Sequence, residues 1–151
     1  MLKSFLQLLF LYFCAFKILM MNCSDAKDIF AHDLSHDELL ARLKGVTWCG
    51  QCEQCLYGFM MAATVLPMEE LLDVFGANLL DKEELMTQFD ELVGFKRVLH
   101  PDIPRMVQVN KILPKIKEQF ADSALMKHYV NESLKQYESD LFEDYFNMSM
   151  T

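Results

Sequence analysis

No cysteine occurs after residue 55, so the chain carries one knuckle of cysteines and no second one. That absence argues against a zinc ribbon built from paired halves. Glycine is scarce, with 5 residues in 151, and none forms a loop that could cradle a phosphate. The sequence has no Gly-x-Ser-x-Gly and no His-Glu-x-x-His, which removes the common hydrolase signatures. Basic residues are outnumbered, 14 against 22 acidic, for a net charge of −8. A polyphosphate backbone rewards dense Lys and Arg, so no nucleic-acid partner is expected. Period-two alternation bounded by hairpin turns is also missing, which excludes a β-sandwich or barrel.

What is present is helix punctuation. Ser35-His36-Asp37-Glu38 is a capping box, flanked by Leu34 and Leu39 as a hydrophobic staple and followed by Gly45 as a left-handed stop. Asp81-Lys82-Glu83-Glu84, between Leu80 and Leu85, repeats it and predicts a helix running to Gly94. Residues 51–66 read as a further helix, and Pro67, at a first helical position, opens MEELLDVF. Met106, Val109, Leu113, Ile116 and Phe120 form an apolar stripe that Pro114 should kink or split. A last helix, about 123–146, carries Met126, Val130, Leu134, Tyr137, Leu141 and Tyr145 on one side. The expected class is all-α, a compact bundle of five or six amphipathic helices.

Residues 1–21 form a basic-then-apolar segment, and Ser24-Asp25-Ala26 puts small side chains before a cut. The expected organisation is a signal peptide over 1–26 and one helical domain over 27–151. Placement would then be secreted or in the endoplasmic reticulum lumen, with a single-pass membrane anchor as the alternative. Asn22, Asn131 and Asn147 begin N-glycosylation sequons that agree with export. Lys96, Arg97, Arg105, Lys111, Lys115 and Lys117 cluster in one segment, while acids dominate 132–144. They read as outer faces of packed helices or as a surface contacting a partner or anionic lipid.

The cysteines leave three options. Cys49, Cys52 and Cys55 are spaced like a metal knuckle that Cys23 or His100 could complete, yet without a second knuckle no metal and no other cofactor is expected. Cys23, Cys49, Cys52 and Cys55 are also disulfide candidates that could tie the N-terminal arm to the core. Thirdly, Cys49 and Cys52 at a helix start have the setting of a redox couple. The string Trp48-Cys49-Gly50-Gln51-Cys52 resembles the thioredoxin and protein disulfide isomerase signature. The resemblance implies that Cys49 attacks and Cys52 resolves, although the helix and turn of 37–47 stand where that family places a buried strand.

Cys49 to Cys52, or Cys52 to Cys55, with the apolar LYGFMMAATVL, and the closing NESLKQYESDLFEDYF with Tyr137, Leu141 and Tyr145, are similar to the saposin-like proteins and their canopy-like relatives. That resemblance implies a lipid- or protein-binding module with structural cysteines and no catalysis. Thiol–disulfide exchange in the secretory pathway, using Cys49 and Cys52, is the alternative.

Overall fold

The computed structural model describes residues 21–23, 26, 29–30 and 33–149. Of the expected signal peptide, 1–26, residues 1–20, Ser24 and Asp25 lie outside the described residues. Six α-helices, two 3-10 turns and one two-residue ladder make up the described elements, so the all-α class stands. By its internal contacts the chain divides into two compact units, residues 1–77 and 78–151.

In the first unit, helix α1 (His36–Lys44) starts as the capping box requires. The Ser35 N–H donates to Glu38 Oε2 at 3.0 Å, and Ser35 Oγ accepts from the Glu38 N–H at 3.4 Å. Its Leu39 and Leu43 are buried. Gly45 ends it in right-handed rather than left-handed geometry, because its N–H still reaches back to the carbonyls of Ala41 and Arg42. Strand β2 (Val46–Thr47) then pairs in parallel with β1 (Met21–Asn22), Met21 against Val46 and Asn22 against Thr47.

Helix α2 (Glu53–Ala63) buries every residue except Glu53 and Met61, so it runs through the middle of this unit rather than along its surface. Helix α3 (Met68–Phe75) follows, with Pro67 one position earlier than expected, at the N-cap. Gly76 closes α3 at φ +79°, a left-handed stop that an L side chain would strain. Phe59 and Phe75 meet edge to face at 5.3 Å and join α2 to α3.

The second unit departs from expectation at its start. The predicted helix from Asp81 is replaced by two 3-10 turns, Leu79–Asp81 and Glu83–Leu85, before α4 (Met86–Val93). The reason is competition for side chains. Asp81 Oδ1 accepts the Ala124 N–H at 3.1 Å, so its carboxylate serves the start of α6 (Ala124–Ser149) instead of its own turn. Asn78 caps the first 3-10 turn and donates to Ser123 Oγ at 2.9 Å.

Helix α5 (Ile103–Ile116) is capped by Asp102 and buries Val109, Ile112, Leu113 and Ile116. Pro114 does not split it. It falls in the last turn, where a lost ladder bond disturbs little that follows. On α6, Leu125 and Met126 are buried and Leu134 is 56% exposed, while the side chains of Tyr137, Leu141 and Tyr145 lie outside the described residues. His128 Nε2 lies 2.6 Å from Asp90 Oδ1, linking α6 to α4 beside Phe89 and Phe95.

Candidate metal centre

Trp48 is the keystone around which the cysteines are arranged. Its Nε1–H donates to the Leu43 carbonyl at 2.9 Å, and its ring lies 4.7 Å from that of Phe75. Its far edge rests on Gly58 of α2, where an added Cβ would come within 3.0–3.1 Å of the indole. Fixing this ring fixes the chain just after it. Gly50 then turns with φ +71°, a left-handed conformation that glycine adopts without steric cost. That turn folds Cys49 back over the start of α2, where Cys52 is the N-cap and Cys55 lies one turn on.

The fourth thiol arrives from far away in sequence. Pairing of Met21–Asn22 with Val46–Thr47 carries Cys23 alongside the Trp48–Cys49 segment. The result is four sulfurs all within 4.8 Å of one another. Cys23 Sγ lies 3.7 Å from Cys52 Sγ, and Cys49 Sγ lies 3.6 Å from Cys55 Sγ. Backbone donors address the cluster: Gly50 N–H to Cys55 Sγ and Cys55 N–H to Cys52 Sγ, each at 3.4 Å. Exposure is graded, with Cys49 exposed, Cys23 and Cys52 half-buried and Cys55 buried.

Electrostatics differ from corner to corner. Burial alone would raise the Cys49 thiol, but the Gln51 N–H and the neighbouring thiols outweigh it and bring it down to about 7. Burial pushes Cys55 up against the pull of the Gly50 N–H, and it raises Cys52 as well. Cys49 is therefore the readiest of these three to become a thiolate.

This geometry corrects one expectation. A disulfide needs its sulfurs about 2.05 Å apart, and the separations above are far longer, so the four described cysteines are free thiols. Cys49 and Cys52, the expected redox pair, stand within 4.8 Å of each other, alongside the contacts Cys49–Cys55 and Cys52–Cys23. His100 stands exposed in the second unit and is not among the grouped side chains.

The basic residues do not make a uniform surface. Lys96 lies 3.8 Å from Glu91, and Arg105, with 17% of its side chain exposed, lies 3.7 Å from Asp102. Lys111, Lys115 and Lys117 are exposed. Asn22 and Asn131 are exposed, and the Asn147 side chain lies outside the described residues. Ala26, expected to precede a signal cut, is fully buried. Among the described residues no helix is long and apolar enough to cross a membrane.

Residues 36–140 match the family described as the MurL C-terminal domain. A curated relative is the UDP-N-acetyl-alpha-D-muramoyl-L-alanyl-L-glutamate epimerase of Xanthomonas oryzae pv. oryzae, 37% identical over 49 residues. That match covers 32% of this chain and 11% of the relative. No solved structure matches. These findings overturn the saposin-like and thioredoxin resemblances, and with them the secreted or lumenal binding module, its lipid or protein ligand and the thiol-exchange alternative. The relative is named for a reaction on a nucleotide-linked muramoyl dipeptide, which neither resemblance accommodates.

Proposed function

Because this chain belongs to the MurL C-terminal-domain family, we propose that it works in an enzyme that epimerises the glutamate of a UDP-linked muramoyl dipeptide. The observation that carries this reading is the family match over residues 36–140, which takes in most of both units. Inverting an α-carbon requires a proton to leave one face and return to the other, each transfer at a reacting distance of about 3–3.5 Å. Two thiols flanking such a carbon would stand about 6–7 Å apart. The four sulfurs here all lie within 4.8 Å, so they are too close to sandwich the carbon. No two of these thiols can therefore act as the opposed pair of bases.

The test is exchange of the stereocentre. The chain, alone and in place of the matching segment of the Xanthomonas oryzae enzyme, is incubated with the UDP-linked muramoyl-L-alanyl-L-glutamate in deuterated water. Chiral analysis of the glutamate after hydrolysis should show D-glutamate carrying deuterium at the α-carbon for the chimera at the least. A chimera that folds but neither turns over nor binds the dipeptide would defeat the reading.

A further inference from the structure

We propose that Cys23, Cys49, Cys52 and Cys55 hold a single zinc ion in a closed tetrahedral site that fixes the first unit. The reading stands on geometry and does not depend on the epimerase assignment. Zinc–thiolate bonds of about 2.3 Å place the corners of a tetrahedron about 3.8 Å apart. Two of the six edges measure 3.6 and 3.7 Å, and the remaining four stay within 4.8 Å. The thiols are already gathered at nearly the separation that one ion needs.

The alternatives fit less well. A disulfide would draw two of the sulfurs to about 2.05 Å and leave the others behind. An iron–sulfur cluster seats its thiolates on different irons and spreads them around a larger body than this compact quartet encloses. Calcium and magnesium call for hard oxygen ligands, and the grouped donors are sulfur only. Four thiolates complete the coordination of zinc, leaving no position for water or substrate, which marks the role as structural.

The surroundings support a charged metal complex. Four thiolates around a divalent ion carry net charge −2, and the N-terminus of α2 offers its positive dipole end there, with Cys52 as the N-cap. The Gly50 and Cys55 N–H groups point at Cys55 and Cys52 sulfur, the outer-shell hydrogen bonds that orient metal ligands. Cys23 reaches the site only because the parallel ladder brings it there, so strand pairing and ligation reinforce each other.

Metal content of the full chain, purified in reducing buffer without chelator, tests this directly. One zinc per chain is expected, with an X-ray absorption first shell of four sulfurs at about 2.3 Å. Cobalt exchanged into the site should give the thiolate charge-transfer bands of a tetrahedral complex. Cys49→Ser, at the exposed corner, should keep its helical circular dichroism while zinc affinity falls more than about 100-fold. Cys23→Ser should do the same, which separates four ligands from three. Iron in any form, bridges linking Cys23 to Cys52 or Cys49 to Cys55, or a reduced chain that ignores micromolar zinc would each overturn the proposal. So would either variant binding zinc as tightly as the parent.

Discussion

Both units bury an apolar core, and the first adds a second device to it. The first, residues 1–77, gathers four cysteines, one tryptophan and a two-residue ladder around a nearly all-buried helix. In the second, residues 78–151, apolar side chains such as Phe89, Leu113 and Phe120 carry the packing, joined by side-chain caps and a histidine–aspartate pair. Hydrophobic burial acts along the whole of an interface and tolerates local error. A ligand cluster concentrates its effect on a few atoms, so the first unit should respond sharply to chemistry that leaves the second unmoved.

The largest effect expected is metal removal. A strong chelator should shift and broaden the fluorescence of Trp48, the chain's sole tryptophan, since its ring lies next in sequence to a proposed ligand. An unchanged emission spectrum at full metal loss would erase the contrast between the units. In the second unit, Phe89→Ala removes a fully buried ring and should cost about 3–5 kcal/mol by chemical denaturation. Amide exchange should show the loss in α4 and α6.

Gly58→Ala comes next. Alanine favours a helix over glycine by about 1 kcal/mol, but its methyl would press on Trp48 at 3.0–3.1 Å. The indole is held by the Leu43 carbonyl and by Phe75 and cannot easily retreat. Overpacking of about 1–3 kcal/mol should therefore win, and a stabilised variant would show that Trp48 is loosely held. His128→Gln should cost about 1.5 kcal/mol, the low end for a hydrogen bond to a carboxylate because the pair is about a quarter exposed.

The smallest effect is electrostatic. Hydrogen bonds donated to the Asp37 and Glu70 carboxylates raise the His36 imidazole above its ordinary 6.5. A raised folded-state value means that the native chain holds the proton longer, so its contribution is complete below about pH 6.5 and fades as pH rises through the raised value. Denaturation midpoints at pH 5.5 and 8.5 should differ less in Glu70→Gln than in the parent.

Much of the helical plan was legible because it is written locally. Ser35 and Glu38 sit three apart, and their reciprocal bonds need nothing from elsewhere. The same rule failed at Asp81, where an equally good local pattern lost its carboxylate to Ala124, 43 positions on. Cys49, Cys52 and Cys55 stood out by spacing, and Cys23 was a candidate partner among others. The ladder that selects it spans two residues, too short for any period to announce. Family membership was not legible at all. The Trp-Cys-Gly-x-Cys string pointed to the thioredoxin family and residues 1–26 to export, while the match that decides the matter extends over 36–140.

The ladder also dictates an order of assembly. Cys23 leaves the ribosome 29 positions ahead of Cys52, and closing a loop of that length costs about 3 kcal/mol in length-dependent chain entropy. Until the Trp48 turn has been synthesised, the upstream arm has nothing to dock against. The three clustered thiols can then meet at once, and the arm returns last. The unit should accordingly mature backwards, from its knuckle toward its beginning.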